Sequence, residues 1–377
     1  MNKKTIYLGL FDHLCCLGVA RCLRNVYRRS SAEWSTMAIQ SRATVEDVAR
    51  LAGVSAKTVS RVFAQRELVA AETVERVLAA AKRLRFRPNT LARGLRRGGG
   101  TNVVGFIMGE LSNPFYYKVA SGIEKELAAH GYSLVVATTD DTAEGEERVA
   151  DTLLAQRIGA LLLIPVGDDQ SYLEGERQLG TPVITIDRPA RNLAADAVVL
   201  DNRSIVREAT SRLLARGHTR IAYACNPASV YTQDERLGGY REAMHAAGIA
   251  NTEPWEVRRD DLDLPAAELI HELMARREPP TAIIAGNNRM TVGVLRALAG
   301  TARADRTALV GFDDFDTADV LGVTVISYQP EELGRRAAQL ALARMADPGG
   351  FIRQETLPTW IVERGSGERP PADLETA

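Results

Sequence analysis

The chain has 377 residues, 45% of them hydrophobic and 25% charged, which is the composition of a folded globular protein with two or three domains and not of a disordered one. The net charge of −1 hides an uneven distribution. Residues 44–97 carry 12 Lys and Arg against 5 Asp and Glu, whereas residues 98–377 carry 28 against 41. A basic head on an acidic body indicates a polyanionic partner for the head alone.

The first 42 residues lack the pattern of a folded domain. Their basic start and apolar stretch faintly match a secretory signal, but Asp12 and His13 interrupt the apolar part. Three interpretations stay open for this region: a non-native stretch upstream of a true start at Met37, a disordered extension, or a signal.

Cysteine content and hydropathy favour a cytoplasmic protein. Of the four cysteines only Cys225 lies in the main body, so the sequence predicts no disulfide framework and a reducing compartment. A membrane-spanning helix needs a run of about 18 apolar residues, and the sequence has none. The other three cysteines are close to the start (Cys15, Cys16, Cys22).

The segment "TVEDVARLAGVSAKTVSRVF" at residues 44–63 predicts two short helices joined by a tight turn. Thr44 and Asp47 have the spacing of a capping box, and Ser55 can cap the second helix. Gly53 lies between them, where glycine accepts a left-handed backbone without steric cost. This arrangement is typical of a helix-turn-helix.

The apolar spacing of the same segment predicts which side chains face inward. Val48 and Leu51 are expected to line the first helix, and Val59 and Val62 the second. A third helix over residues 71–84 completes a small core. The face left outside is expected to carry Lys57, Thr58 and Arg61.

The next segment, "RPNTLARGLRRGGG" at residues 87–100, is too short and too polar to form a stable helix alone. Leu91 and Leu95 share one helical face, with arginines around them. Packing of both side chains on the following domain is one interpretation of this leucine pair, and the family resemblance given below implies another.

After Gly100, nine or more apolar runs alternate with amphipathic helices, as "VVGFIMG" (103–109) and "ALLLIPV" (160–166) illustrate. Continuous apolar strands between helices predict parallel sheets covered on both faces, and their number predicts two lobes. Ligands bind beyond the carboxyl ends of such strands. Polar side chains collect there, including Asn113, Asp187, Arg188 and Asp313.

The headpiece motifs, "TVEDVARLAGVSAKTVSRV" followed by "RPNTLARGL", resemble those of the LacI (lactose repressor) family of transcription regulators, and the resemblance runs from about residue 44 to residue 366. It implies an N-terminal all-α helix-turn-helix headpiece and an α/β two-lobed effector domain with parallel sheets, like a type I periplasmic binding protein. One departure is Ala70, where the family usually places a hydroxyl residue to cap the third helix. The predicted domains are an extension (1–42), the headpiece (43–88), a hinge helix and linker (89–100), the two-lobed domain (101–366) and a disordered tail (367–377).

The resemblance also implies site residues and partners. Near-palindromic operator DNA would be contacted by a homodimer, with Leu95 as the minor-groove wedge. The predicted DNA-binding residues are Thr44, Ser55, Ala56, Lys57, Thr58, Ser60, Arg61, Asn89, Ala92, Arg93 and Leu95. A sugar-like effector would be bound by Phe115, Tyr116, Thr232, Arg236, Asn287, Asp313 and Gln329.

Other classes of function have less support in the residues. The five histidines lack metal-ligand spacing, and neither a phosphate loop nor a nucleophile elbow occurs, so no enzyme, metal or cofactor is predicted. Asp314 and Asn288 are interpreted as structural caps. The alternative is a sugar-binding component of a transport system, which needs the same two-lobed body and a genuine signal peptide. A ligand-controlled repressor is the preferred interpretation because of the helix-turn-helix.

Overall fold

The computed structural model describes residues 42–87, 101–226, 230–258 and 265–371. It divides into two compact units, Met1–Asn89 and Thr90–Ala377, which we call the headpiece and the body. Residues 1–41 and the hinge residues 89–100 lie outside the described part, so the expectations for Asn89, Ala92, Arg93 and Leu95 remain predictions.

Three helices form the described headpiece, and their ends follow the predicted capping signals. Thr44 and Asp47 form the capping box of the first helix, Ser55 accepts a hydrogen bond from the Thr58 amide, and Gly53 is left-handed with φ 66°. The third helix has no side-chain cap at Ala70, in agreement with the missing hydroxyl. The helices are α1 (Val45–Ala52), α2 (Ala56–Ala64) and α3 (Ala71–Arg83), with a 3-10 turn at Arg66–Leu68.

The headpiece core is built from small and β-branched side chains. Val48 is fully buried, but the expectation for Leu51 is wrong, because 43% of it is exposed. Ala49 and Ala52 are buried instead, since with Val48 they form the i, i+1, i+4 stripe that faces α2 and α3, whereas Leu51 points away from it. The other buried residues of this core are Val59, Val62, Val74, Val77, Ala80 and Ala81.

The body contains two six-stranded sheets with the same strand order, one in each lobe. In chain order the lobe 1 strands are β1 (Val103–Met108), β2 (Ser133–Thr138), β3 (Ala160–Leu163), β4 (Val183–Asp187), β5 (Asp196–Leu200) and β11 (Gln354–Leu357). Those of lobe 2 are β6 (Ile221–Cys225), β7 (Glu256–Arg258), β8 (Ala282–Ala285), β9 (Ala308–Phe312), β10 (Thr324–Ser327) and β12 (Trp360–Val362).

Eight helices of the described residues cover the two sheets. They are α4 (Pro114–Ala129), α5 (Ala143–Leu154), α6 (Glu174–Gln178), α7 (Asn202–Ala215), α8 (Tyr231–Ala246), α9 (Ala266–Met274), α10 (Asn288–Leu298) and α11 (Pro330–Ala346). Within the described ranges, no helix combines the length and the apolar character that a bilayer crossing requires.

The sheets run in the order β11-β5-β4-β3-β1-β2 and β12-β10-β9-β8-β6-β7. Each strand of one lobe therefore has a counterpart in the other, with β4 matching β9. The predicted parallel pairing holds for every described pair except β10 with β12, which is antiparallel. The chain crosses between the lobes after β5, after β10 and between β11 and β12, so the carboxyl ends of both sheets face one cleft.

In each lobe, glycine allows two helices to pack backbone against backbone. A Cβ at Gly334 of α11 would lie 2.1 Å from the Val119 carbonyl oxygen of α4, and one at Gly239 of α8 would lie 2.1 Å from the Arg203 carbonyl oxygen of α7. No side chain fits at these distances. The two-lobed body is thus an internal repeat in its helix packing as well as in its strand order.

The residues after β12 are packed against lobe 2. The buried His218 ring contacts the Thr281 hydroxyl through Nδ1 and the Arg369 carbonyl oxygen through Nε2, both at 2.9 Å. Arg369 also donates to the carbonyl oxygens of Ala304 and Thr307. The predicted disorder from residue 367 is therefore wrong for residues 367–371, because these polar contacts fix the chain; residues 372–377 lie outside the described part.

His218 makes the stability of lobe 2 depend on pH. Burial lowers the pKa of this imidazole below its ordinary value of 6.5, with the nearby Arg216 acting in the same direction and the Arg369 hydrogen bond against it. The unfolded chain thus binds the proton more readily, so the contribution of neutral His218 is present above pH 6.5 and is lost as the pH falls through the folded-state pKa.

We expect His218→Gln to lower the unfolding free energy at pH 7.5 by about 1–3 kcal/mol, because a buried hydrogen-bonded ring is lost, and to flatten the decline in stability between pH 7 and pH 5. Urea unfolding followed by circular dichroism at several pH values measures both effects. The half-exposed His130 provides the control variant His130→Gln, and equal pH dependence in the two variants would contradict the assignment.

Candidate nucleic-acid interface and effector cleft

The outer face of α2 carries the candidate DNA-contacting side chains. Lys57 and Arg61 are exposed, whereas Val59 and Val62 are buried on the opposite face of the helix. Among the described headpiece residues neither cation makes an ion pair, so both charges remain available to an acceptor in DNA. Of the other predicted contacts on this helix, Ala56, Thr58 and Ser60 are half-buried.

Thr44 and Ser55 have defined local roles that are compatible with a DNA contact. Thr44 exchanges hydrogen bonds with Asp47, and the Ser55 hydroxyl lies 2.9 Å from the Thr58 hydroxyl. Both residues stand at helix N-termini, where backbone N–H groups and the positive end of the helix dipole favour phosphate oxygens. The DNA contacts of Thr44 and Ser55 stay predictions.

In the body, one buried cation organises the cleft edge of lobe 2. The Arg236 guanidinium donates to Asn202 Oδ1 at 2.7 Å and to the Gly286 carbonyl oxygen at 2.6 Å, and its carbon lies 3.4 Å from the Phe312 ring centroid. These partners come from the start of α7, the end of β8 and the end of β9. Nε and Nη1 make these two hydrogen bonds, and Nη2, the third nitrogen of the guanidinium, takes part in neither.

Two aspartates occupy matching positions in the two lobes. Asp187 ends β4 and Asp313 follows β9, and both are left-handed, with φ 69° and φ 71°. Such a backbone is uncommon outside glycine and often marks functional sites. Burial raises the pKa of the Asp187 carboxyl, while the adjacent Arg188 and Arg236 lower it and Asp313 raises it further. These groups of both lobes therefore share one electrostatic environment.

An aromatic wall joins these charged groups. Tyr328 donates to Asp313 Oδ1 at 2.7 Å, and its ring lies 6.2 Å from the rings of Phe115 and Phe312. Phe115 in turn lies 5.3 Å from Tyr116, whose hydroxyl reaches Asp141 at 3.4 Å. Burial and the Asp313 charge both raise the pKa of the Tyr328 hydroxyl, which keeps it protonated and able to donate.

The predicted effector residues are brought together to different degrees. Phe115, Asp313 and Gln329 line one cavity of about 220 Å³ between the lobes. Asn287 caps α10 through Oδ1, which accepts from the Met290 amide. Thr232 is buried in the first turn of α8 and has no described hydrogen bond to the others.

Asp314 and Asn288, which the sequence analysis interprets as structural caps, have different roles in the structure. The cap interpretation of Asp314 is wrong, because the next described helix begins only at Pro330; Asp314 instead forms a two-bonded ion pair with Arg364. Asn288 begins α10 but also reaches the other lobe, since its Nδ2 donates to Asn113 Oδ1 at 2.9 Å. Asn288 Oδ1 and Arg188 Nε are buried polar atoms without a hydrogen-bond partner in the described structure.

Sequence reasoning did not select Asp187, Arg188 or Tyr328 as site residues, although it placed the first two at a strand end. A signal was present. The segment "VITIDR" ending β4 and the segment "LVGFDD" ending β9 each place an aspartate at the same point of a buried strand, as an internal repeat would.

Metal chemistry has no candidate centre among the residues that can be described, since no group of three or more His, Cys, Asp or Glu side chains is arranged to hold an ion.

Comparison with known proteins agrees with this architecture. Residues 101–350 match the family described as periplasmic binding proteins and sugar binding domain of LacI family, and residues 44–89 match bacterial regulatory proteins, lacI family. The chain belongs to the LacI family. It is thus a DNA-binding transcription regulator with a two-lobed ligand-binding body.

Individual LacI-family relatives align with nearly their whole length. The ribose operon repressor of Escherichia coli K12 is 32% identical over 86% of this chain and 99% of its own. A solved CelR–cellobiose complex is 30% identical, with a TM-score of 0.64, over 86% of this chain and 100% of the other. The lac repressor dimer bound to operator is 25% identical, with a TM-score of 0.76, over 87% and 99%.

The exposed face of α2 generates a prediction about base reading. Lys57→Ala and Arg61→Ala should each weaken operator binding by about 1–3 kcal/mol and relax the preference at one base pair per half-site, because these side chains are expected to reach base edges in the major groove. Binding to a library of single-base operator variants measures both effects. Arg83→Ala, on the exposed end of α3, is the control; a loss that is equal for all sequences would mark Lys57 and Arg61 as phosphate contacts.

Proposed function

We propose that this LacI-family protein is a repressor that binds a near-palindromic operator as a homodimer and releases or tightens it in response to a neutral, sugar-like effector in the cleft between the lobes. The operator would be contacted by the listed headpiece residues together with the hinge around Leu95. As a regulator of transcription it would act in the cytoplasm, and the proposal assigns it no chemical reaction.

Two of the four buried polar atoms without a hydrogen-bond partner in the described structure carry the proposal for the effector. Arg188 Nε on lobe 1 has only the Asp187 carboxylate beside it, at 3.5 Å, and Asn288 Oδ1 on lobe 2 is an acceptor without a donor. Leaving such atoms unpaired is costly, so a bound ligand that supplies both partners is favoured. A hydroxyl group both donates and accepts, and a molecule with several hydroxyls can reach both lobes.

The charges around the cleft favour a neutral effector. Asp187 is close to the cations Arg188 and Arg236 and to the Asp313 carboxylate, so the charges of the two lobes compensate one another and a neutral effector is favoured. Carboxylates accept from neighbouring hydroxyls, guanidinium nitrogens donate to ring and hydroxyl oxygens, and Phe115 offers an apolar face to C–H groups. Ribose and cellobiose, which appear in the names of relatives, have this chemistry.

A sugar-binding transport component is the second candidate, because its body would bind the same ligands. The helix-turn-helix with two exposed cations on α2 favours the repressor, since a transport component has no use for a DNA-reading face. A gel-shift assay with genomic fragments distinguishes the two candidates.

The effector assignment is tested by two substitutions in the cleft. Arg236→Lys and Asp313→Asn should weaken effector binding by about 30-fold or more, because each removes charge-assisted hydrogen bonds in a buried site, while operator binding without effector is retained. The effector is first found by thermal shift over a panel that includes ribose and cellobiose.

Matched controls lie beside each substituted residue. Asp314→Asn changes the neighbouring carboxylate, which is paired with Arg364, and Arg241→Lys lies on the same helix as Arg236 but bonds Glu256. Both should keep the effector response. Effector affinity that is unchanged in Arg236→Lys and Asp313→Asn would overturn the cleft assignment.

A further inference from the structure

Polar contacts join the two lobes along one edge of the cleft. Asn113 and Asn288 form the central one, in which the amide of one lobe donates to the amide oxygen of the other at 2.9 Å. Since Asn113 caps α4 and Asn288 begins α10, the bond connects the N-termini of two helices in different lobes. It lies at the point where the carboxyl ends of β1 and β8 face each other.

Two ion pairs lie near this contact. Arg289 of lobe 2 binds Glu110 of lobe 1 and also donates to the Ser112 hydroxyl at 3.3 Å. Lys118 of lobe 1 binds Asp316 of lobe 2 at 3.1 Å. Each lobe therefore contributes one cation and one anion, so the two pairs fix the register of the lobes as well as their separation.

These are the two described ion pairs that cross between the lobes. The others within the body join residues of one lobe, as Arg344 with Asp196 in lobe 1 and Arg364 with Asp314 in lobe 2 illustrate. Ion pairs concentrated at the cleft edge act on the lobe-to-lobe equilibrium, because separation of the lobes breaks them while the fold of each lobe stays intact.

Closure of the cleft requires a favourable interaction between the lobes, and these ion pairs provide one. Closure leaves Asn288 Oδ1 buried without a hydrogen-bond partner and Arg188 Nε with only the Asp187 carboxylate at 3.5 Å, which opposes the closed arrangement. The Arg289 and Lys118 pairs are partly exposed, and pairs of this kind shift an equilibrium by up to about five-fold each at low salt. Mobile ions screen them, so their effect declines as ionic strength rises.

We propose that Glu110–Arg289 and Lys118–Asp316 form an ionic latch that holds the cleft closed in the absence of effector and makes its opening depend on ionic strength. The latch rests on the proposed function in one respect: the space between the lobes is taken to be the effector cleft. Its role is regulatory: it sets how often the empty site opens to admit a ligand.

Hydrogen–deuterium exchange of the full chain without any ligand tests the latch. In low salt, the backbone amides of residues 185–188 and 286–290 should exchange at least three-fold faster in the double variant Glu110→Gln/Asp316→Asn than in the unmodified protein. Residues 185–188 are the decisive readout, because they line the cleft without belonging to the latch. In the unmodified protein, a change from 0.05 M to 0.5 M salt should produce about the same acceleration, and the double variant should respond little.

The control and the rescue separate a latch from local damage. Asp168→Asn removes a pair with Arg191 of similar geometry, 3.0 Å long, but within lobe 1, and should leave the cleft amides unchanged. The cleft amides should exchange faster in Asp316→Lys alone, and the charge-swapped protein Lys118→Asp/Asp316→Lys should return them to the rate of the unmodified protein. Equal exchange in the double variant and the unmodified protein, or a charge-swapped protein that exchanges as fast as Asp316→Lys, would overturn the latch. Failure of every sugar to change operator binding would instead overturn the proposed function and leave this result standing.

Discussion

The body depends on one buried cation, the Arg236 guanidinium. A buried charge is tolerated only where hydrogen bonds and counter-charges replace water, and Arg236 has both: Asn202 and the Gly286 carbonyl accept from it within lobe 2, while Asp187 lies near it from lobe 1. Removal of one partner of a buried ion pair typically lowers the unfolding free energy by about 3–5 kcal/mol. The ends of β8, β9 and α7 are thereby held in one arrangement, which positions the rest of the cleft.

The internal repeat explains why the cleft has carboxylates on both sides. In each lobe the fourth strand in chain order ends in or is followed by a left-handed aspartate, so a ligand between the lobes is offered an acceptor from each direction. A ligand that binds both lobes shifts the lobe-to-lobe equilibrium by its differential affinity for the closed state. The proposed latch acts on that same equilibrium.

Much of the fold could be predicted from the sequence. Nine strands were readable because parallel strands covered on both faces are continuous apolar runs, whereas β7, β11 and β12 were missed because they are edge strands of only three or four residues. The capping signals at Thr44, Gly53 and Ser55 were correct because caps are local. Leu51 was wrongly predicted to be buried, because the apolar spacing within one short helix does not show that the neighbouring helices pack against the small side chains Ala49 and Ala52.

The site was less readable, because its chemistry is tertiary. The bond between Asn113 and Asn288 joins residues 175 positions apart, and the cap interpretation of Asn288 described only its local half. Asp187 is a site residue only because Arg236 and Asp313 approach it from another lobe. The positions of Phe115, Arg236 and Asp313 came from a family resemblance; in the structure the first two lie on helices and Asp313 follows β9.

The central claim is that ligand in the cleft and operator on the headpiece are coupled, and coupling is reciprocal. Isothermal titration calorimetry of the effector into the full chain, free and saturated with operator duplex, tests this most directly. The account predicts that the effector Kd differs between the two by at least about five-fold, and that saturating effector changes the operator Kd by the same factor. The same effector Kd with and without operator would contradict it.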